Sequence, residues 1–244
     1  GINANPESSI NIQFATEVNG KSLTDKVHIS PAPPDGWKPA ESWSSQYWYY
    51  SPRLKPQTAY TVTVDAGVED VHGQKLETGT SFSFTTGDLS PTLDTPWSSS
   101  ELYPAANPTT LPIRFRNVSS VSVEIERLNP TELVTDALQW RNRMGTEGNG
   151  RRVQIAATQQ RNVLQRAMVD LAPDLVGGYG ILRLTAAVPE IRTYDNREQE
   201  RVAILQVTNL GANVKLTPDG ATVWVTQLDT GASVPDANVL ISRT

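Results

Sequence analysis

The sequence predicts an all-β protein made of tandem antiparallel β-sandwiches, with one short helix in the second of them. Two observations predict this class. Short runs of residues alternate between apolar and polar side chains, which is the period of a strand that buries one face. Clusters of Gly, Pro, Asn and Asp separate these runs. Several short strands at this spacing favour an antiparallel sandwich over β-α-β units.

The first predicted sandwich covers residues 1–87. Three alternating runs lie within it, at 9–14 (SINIQF), 59–64 (AYTVTV) and 81–86 (SFSFTT). Their apolar faces carry Ile10, Ile12 and Phe14, then Tyr60, Val62 and Val64, then Phe82 and Phe84. Turn signals stand at Asn19-Gly20, Pro33-Pro34-Asp35-Gly36, Lys55-Pro56 and His72-Gly73. The pattern is typical of an Ig-like domain.

Residues 88–110 differ in composition from the segments on either side, because they contain four prolines and three consecutive serines. This composition predicts a semi-rigid connector. Trp97, Leu102 and Tyr103 are the side chains within it that could anchor it to a neighbouring core.

The second predicted sandwich covers residues 88–208, with strands at 111–115, 121–125, 179–184 and 201–207. A helix is predicted near 130–144. Asn129 can cap it, Pro130 suits its first position, Glu132 closes a capping box and Gly145 ends it. The run 161–171 is ambiguous, because its apolar residues fit a helix whereas AMVDL alone fits a strand.

The last predicted strands lie at 213–216, 222–228 and 237–241. Residues 209–244 are too few to form a core alone, so they either complete the second domain or begin a third. If they begin a third, the apolar face with Val223 and Val225, or Trp224 on the other face, lacks a covering sheet.

Composition excludes several function classes. The 244 residues include 21 Lys and Arg against 26 Asp and Glu, a net charge of −5 without a basic stripe for nucleic acid. The absence of Cys excludes disulfides, thiolate nucleophiles and Cys-ligated metals within these residues. No apolar run approaches the roughly 20 residues of a membrane span. The first residues have neither the basic nor the apolar segment of a signal peptide.

Candidate catalytic and metal-binding residues are few. His28 alternates with apolar neighbours in a strand, and His72 lies in a turn; neither has an acidic residue at motif spacing, so we predict no catalytic or metal role. Asp65, Glu69 and Asp70 could supply oxygens to a calcium ion, but a turn in which Asp accepts backbone N–H groups is the favoured interpretation. A hydrolase with a carboxylate pair has no residues at usable spacing. The sequence predicts no catalytic, cofactor or metal site.

Two further patterns have plain structural interpretations. Gly177-Gly178-Tyr179-Gly180 precedes a strand rather than a helix, which predicts a tight turn rather than a phosphate loop. Asn117-Val118-Ser119 matches the glycosylation sequon, a three-residue pattern that is common by chance.

An aromatic cluster is the most distinctive feature of the composition. It comprises Trp37, Trp43, Tyr47, Trp48, Tyr49 and Tyr50. Exposed on a strand, such rings could stack on sugars, as in a carbohydrate-binding module. The alternative is that Trp48 and Tyr50 face the core while Tyr47 and Tyr49 cover the rim or a neighbouring domain.

Residues 54–87 resemble the bacterial Ig-like repeat with the pattern L-x-P-x-T-x-Y-x-V-x-V, G-V-x-D-x-x-G-x-x-L and F-x-F-T-T-G. The matching residues are Leu54, Pro56, Thr58, Tyr60, Gly67, Asp70, Gly73, Leu76, Phe82, Phe84 and Gly87. In this pattern Tyr60 fills the core, and Asp70 and Gly73 form a turn.

Residues 207–241 resemble the start of a macroglobulin domain in bacterial alpha-2-macroglobulins. The matching residues are Val207, Thr208, Leu210, Gly211, Trp224, Val225, Leu228, Thr230, Gly231, Val234, Pro235, Ala237 and Val239. Just upstream, VDLAPDLVGGYGILRLTA resembles the family idiom in which a strand ending in D-L leads to G-x-Y, which favours a strand at 163–171. Here Gly178 and Tyr179 are adjacent, with no residue between them.

The resemblance implies a non-catalytic scaffold segment of a protease inhibitor that traps proteases after bait cleavage. The bait region and thioester would lie outside these residues. It implies a periplasmic or cell-surface bacterial location, with a lipid anchor in the full-length protein. The expected partners are proteases and neighbouring macroglobulin domains, with no cofactor, no nucleic acid and no membrane contact of its own. The alternative is a cell-surface Ig-like binding module of the adhesin or carbohydrate-binding type.

Overall fold

The computed structural model describes residues 3–33, 41–97, 100–105, 107, 109–129 and 149–239. The chain divides into two units: unit 1 is Gly1–Ser90 with Gln160–Val163, and unit 2 is Pro91–Gln159 with Leu164–Thr244. The strands of unit 1 are β1 (Asn3–Ala4), β2 (Ile10–Asn19), β3 (Val27–Ser30), β4 (Ser44–Tyr50), β5 (Ala59–Val64) and β6 (Thr80–Thr86), with a short helix α1 (Gly20–Leu23). Those of unit 2 are β7 (Thr92–Asp94), β8 (Ser100–Pro104), β9 (Thr110–Arg116), β10 (Ser120–Leu128), β11 (Arg151–Ala156), β12 (Gln165–Asp170), β13 (Gly180–Ala187), β14 (Arg201–Thr208), β15 (Leu210–Thr217) and β16 (Gly220–Gln227), with a 3-10 turn at Ala172–Asp174. The all-β prediction is confirmed.

Unit 1 contains a four-stranded sheet in the order β1-β6-β5-β3 and a two-stranded sheet of β2 and β4. The three alternating runs of the sequence form β2, β5 and β6, as predicted. Tyr60 pairs with Phe84 across β5 and β6, and their rings stack with centroids 5.8 Å apart in the core. Tyr60 is buried, so its predicted role in the core is confirmed.

Phe82 differs from the prediction that it would be buried with Phe84. It lies on the same face of β6 but is 44% exposed. Its ring stacks on Phe84 at 6.3 Å, and Val62 is its partner on β5. Alternation predicts the face on which a side chain lies, but not how far the opposite sheet extends over it.

Unit 2 contains a five-stranded sheet in the order β11-β10-β13-β14-β8 and a three-stranded sheet in the order β12-β9-β7. One hydrophobic core includes inward residues of both sheets, among them Ile113, Val123, Leu184 and Leu205. These side chains occupy alternate positions of β9, β10, β13 and β14, which is the pattern that buries one face of each strand. The predicted second sandwich therefore has its expected core.

The segment 88–110 is not the connector that the sequence predicted, because β7 and β8 lie within it and belong to the sheets of unit 2. Both are edge strands, where proline is tolerated because one side needs no backbone donor. Trp97 is buried in the core and Tyr103 packs against it, so two of the three anchors are confirmed. Leu102 is exposed instead.

The ambiguous run 161–171 forms strand β12 between Gln165 and Asp170, as the resemblance favoured. The predicted helix near 130–144 lies outside the described residues. Gly177 and Gly178 both have positive φ, and Val176 pairs with Tyr179 around them, so the predicted tight turn is confirmed. No helix in the described part of the chain has the length and apolar character needed to cross a membrane.

Strands β15 and β16 form a separate two-stranded hairpin. Register places Ala212 opposite Val225 and Val214 opposite Val223, so these apolar side chains share one face. Val214 and Leu216 are exposed on that face, and Trp224 is exposed on the other. The strand predicted at 237–241 is absent from its described residues, 237–239; the remainder lies outside them.

Candidate functional site

Strand β4 carries a row of exposed aromatic side chains in unit 1. Tyr47 and Tyr49 alternate with Trp48, so they lie on the opposite face from it. Tyr47 is 45% exposed and Tyr49 is 66% exposed, whereas Trp48 is 6% exposed and packs in the core. Trp43, directly before the strand, is 63% exposed. The outward rings therefore form a surface of unit 1, which we call the aromatic row: Trp43, Tyr47 and Tyr49.

Side-chain amides from β2 flank the aromatic row. Register pairs Asn11 with Tyr49 and Gln13 with Tyr47. The Gln13 Nε2 group donates a long hydrogen bond of 3.4 Å to the Tyr47 hydroxyl. Aromatic rings can stack on the apolar face of a ligand, and neighbouring amides can form hydrogen bonds with its hydroxyl groups. Tyr50 packs partly against the core, and Trp37 lies outside the described residues.

The three acidic residues considered for calcium have separate partners. Asp65 contacts His28, and Glu69 lies 3.6 Å from the Lys75 ammonium group. Asp70 accepts hydrogen bonds from the backbone N–H groups of His72 and Gln74 at 2.9 and 2.8 Å. This is the turn role that the sequence favoured for Asp70. Within the described ranges, no group of three or more acidic or His side chains could hold a metal ion.

Burial acts to raise the pKa of Asp70, but the net effect is a lowered pKa. The hydrogen bonds from Gln74 and His72, with a third from the Thr16 hydroxyl at 3.0 Å, all favour the charged carboxylate. Asp70 therefore stabilises the turn as an anion. Gly73 completes this turn with a φ of +82°, a conformation that favours glycine.

His28 has an acidic partner that sequence spacing did not reveal. Its Nε2 atom lies 2.9 Å from Asp65 Oδ2, because β3 and β5 pair and Asp65 directly follows β5. Both side chains are exposed to solvent. The pair has the contact distance of a catalytic dyad, but we assign it no catalytic role because both side chains lie at the surface.

Asp88 is the centre of a polar cluster in unit 1 that was not predicted from the sequence. Its carboxylate accepts hydrogen bonds from Asn162 Nδ2 at 2.8 Å, Arg161 Nη1 at 2.7 Å and Gln57 Nε2 at 2.8 Å. The hydrogen bonds from Asn162 and Arg161 lower the pKa of Asp88 despite some desolvation. Partners more than 70 residues apart cannot be found from local patterns. The cluster ties Asp88 to the segment at Arg161 and Asn162 and to Gln57.

In unit 2 the charged side chains with the most hydrogen bonds also hold the fold together. Arg151 Nε donates to both oxygens of Asp174, at 3.2 and 3.0 Å, and its Nη2 group donates to the Asp170 carbonyl at 2.6 Å. The hydrogen bond to Asp174 raises the pKa of Arg151. Arg183 pairs with Glu126, its cross-strand neighbour between β13 and β10. These contacts join strands and loops of unit 2.

Comparison with known proteins finds a family model that matches most of unit 1. Residues 2–86 match the sequence model of the bacterial Ig-like domain. No curated protein matches the chain. This similarity agrees with the positions of Tyr60 in the core and of Asp70 and Gly73 in a turn.

Solved structures are similar in fold to most of the chain, including residues beyond those matched by the family model. A point mutant of Salmonella alpha-2-macroglobulin matches over 93% of this chain, with 16% identity and a TM-score of 0.57. The Salmonella protein reacted with methylamine matches equally well. An Escherichia coli alpha-2-macroglobulin structure covers 96% of the chain, with 16% identity and a TM-score of 0.48. The chain spans 15% of the Salmonella protein and has the fold of that part of it.

Proposed function

We propose that this chain is a non-catalytic scaffold segment of a bacterial alpha-2-macroglobulin-like protease inhibitor, with bait and thioester outside it. The observation that carries the proposal is the match of 93% of the chain to one Salmonella alpha-2-macroglobulin, which includes residues of both units. The resemblance of residues 207–241 to a macroglobulin domain supports it independently. The match shows a similar fold, and we propose the role in protease trapping beyond it.

The placement of charged side chains supports a scaffold. Asp70 holds a turn, Asp88 gathers three donors, and Arg151 joins a strand to the turn at Asp174. A catalytic centre would instead direct such groups toward a shared cavity. In the described residues these charged groups hold turns and loops in place, which supports a scaffold role.

We propose that the chain comprises three domain segments: an Ig-like sandwich at 1–87, a macroglobulin-like sandwich at 88–208 and part of a third domain at 209–244. The exposed apolar face of the β15–β16 hairpin supports the third segment. This hairpin belongs to unit 2, but among the described residues the core of unit 2 contains none of the hairpin's side chains. The expected location is the periplasm or the bacterial surface, with proteases and neighbouring domains as partners and any lipid anchor elsewhere in the full-length protein.

Elastase treatment of the full-length protein that carries this chain tests the proposal. A trapped protease keeps its activity on a small peptide substrate but loses activity on casein, because casein cannot reach an enclosed enzyme. We expect that pattern for the full-length protein, with the cut outside residues 1–244. The chain alone should change neither activity. An elastase cut within this chain that produces the protection, or full casein digestion by the treated protein, would overturn the proposal.

A second candidate function is a carbohydrate-binding surface on the Ig-like domain, favoured by the aromatic row. Sugar rings have apolar faces that stack on aromatics, and hydroxyls that suit the amides of Asn11 and Gln13. The burial of Trp48 counts against use of the whole cluster, so the candidate site is limited to the three outward rings.

Co-sedimentation with chitin, cellulose and peptidoglycan tests this candidate. We expect the wild-type chain to bind one of them, and a triple variant with Trp43, Tyr47 and Tyr49 changed to Ala to stay in solution. Tyr194→Ala is the matched control, because Tyr194 is a fully exposed aromatic in unit 2. Equal loss of binding in the control, or no binding by the wild type, contradicts the candidate.

A further inference from the structure

The outer face of the three-stranded sheet in unit 2 has an open cavity of about 260 Å³. It is lined by Asp94, Thr95, Pro96, Pro112, Arg114 and Arg166. Strand β7 ends at Asp94, while β9 begins four positions before Arg114. The cavity therefore opens beside Pro112, where β7 no longer accompanies β9.

Two arginines face each other across this cavity. Register places Arg166 of β12 directly opposite Arg114 of β9, and Asp94 of β7 opposite Arg114 on its other side. Like charges at directly opposed positions repel, so this arrangement is unfavourable without a counter-ion. The three side chains carry a net charge of +1, from two arginines and one aspartate.

Asp94 accepts hydrogen bonds from only one of the two arginines, Arg114. Arg114 Nε donates to Asp94 Oδ2 at 2.9 Å, and Arg114 Nη2 contacts the same oxygen. A guanidinium has five N–H donors, so three on Arg114 remain for another acceptor. Among the described residues, the side chain of Arg166 has no hydrogen-bond or ion-pair partner. Several donors of two guanidinium groups therefore converge on an accessible cavity.

We propose that this cavity binds a single carboxylate side chain of a partner protein. Guanidinium groups match carboxylates in a planar, two-point geometry. One negative charge brings the site to neutrality, whereas a phosphate dianion would add a surplus charge close to Asp94. Pro96 and Pro112 offer rigid apolar walls to the methylene groups of a glutamate. The cavity is smaller than the usual pocket for a whole organic ligand, which favours one side chain as the occupant.

Arg114 and Asp94 are both more than half exposed. A contact at so exposed a site is too weak to hold a partner alone, so we place it within a larger interface. Exposed ion pairs are weak and sensitive to salt. A free carboxylate is therefore expected to bind in the millimolar range or weaker. The proposal goes beyond the scaffold function, since it assigns a contact chemistry to a face that the fold match leaves unassigned.

NMR of the arginine Nε–H groups of the chain, at constant ionic strength, tests the proposal. The probe is N-acetyl-glutamate α-amide, which carries one carboxylate. The glutamine counterpart is its neutral control, and acetate and inorganic phosphate are the other arms. We expect saturable shifts of Arg114 and Arg166 with the glutamate probe, weaker shifts with acetate and phosphate, and none with the glutamine compound.

Two variants make the test specific. R166Q should raise the half-saturating probe concentration about threefold or more. R197Q should leave it unchanged, since Arg197 is an equally charged, exposed residue of unit 2 that pairs with Asp195. Core amide shifts verify that both variants fold. Equal shifts at Arg197, tighter binding of phosphate than of the glutamate probe, or unchanged binding in R166Q would each overturn the proposal.

Discussion

The Tyr60 hydroxyl accepts a hydrogen bond of 2.9 Å from the backbone N–H of Lys55. The side chain thus fills the core of unit 1, and its hydroxyl is the acceptor for the loop that precedes its own strand. Tyr60→Phe keeps the ring stacked on Phe84 but removes the acceptor of the Lys55 N–H. We expect a loss of about 1 kcal/mol in the unfolding free energy of unit 1, because the hydrogen bond is part-buried and one such bond contributes about that much.

Urea unfolding followed by tryptophan fluorescence measures this loss. Tyr194→Phe is the control, because its hydroxyl is fully exposed and its removal should leave the midpoint unchanged. A Tyr60→Phe midpoint equal to that of wild type would show that water replaces the hydroxyl.

Acidification should destabilise unit 1 through Asp70. Its pKa is lowered in the folded state, so its stabilising effect is present above the unfolded pKa and is lost as pH falls through the folded pKa. We expect the unfolding free energy of wild type to decline below about pH 4. Asp70→Asn should be less stable at neutral pH and should show a shallower decline. Parallel pH profiles for the two proteins would contradict the assigned role.

Arg151 should not tolerate lysine. A lysine cannot reproduce the fork that contacts both Asp174 oxygens and the Asp170 carbonyl. We expect Arg151→Lys to lower the unfolding free energy of unit 2 by about 1–2 kcal/mol. Arg197→Lys, at an exposed pair with Asp195, should change it by less than about 0.5 kcal/mol. Chemical denaturation of both variants measures these changes. An equal loss of unfolding free energy in the two variants would contradict the importance of the forked guanidinium contact of Arg151.

The hairpin β15–β16 should contribute little to the stability of unit 2. Leu205→Ala removes a buried core side chain and should cost about 2–5 kcal/mol, whereas Leu216→Ala, at a residue 78% exposed, should cost less than about 0.5 kcal/mol. Amide hydrogen exchange should be faster in β15 and β16 than in β13 and β14. Equal protection across the four strands would mean that the hairpin's apolar face is covered in solution.

Alternation in single strands predicted much of the fold. Strands β2, β5 and β6 lie where period-two runs placed them, since that pattern depends only on which face is buried. Strands β7 and β8 were missed because proline-rich edges look like linkers. Strand β12 fits either a helix or a strand by periodicity, and the family idiom rather than the apolar pattern indicated the strand.

The candidate sites were less predictable, because they depend on register. The aromatic row was visible as a composition feature, and its outward face followed from alternation around Trp48. Arg114 and Arg166 are 52 positions apart, and only the pairing of β9 with β12 brings them together. The same holds for His28 and Asp65. No local pattern encodes which residue of one strand will oppose which residue of another.

The edges of the sheets also differ in how they resist self-association. Prolines flank β7 and end β8, and arginines begin β11, so these edges offer an incoming strand few free donors or an unfavourable charge. Strand β16 has neither protection at 220–224: its sequence GATVWVTQ is uncharged, contains no proline and is rich in residues that favour strands, and only its second half is paired further, through Thr226 and Ser233. Aggregates of this protein should therefore grow from β16, and a charged residue introduced there should keep concentrated samples clear.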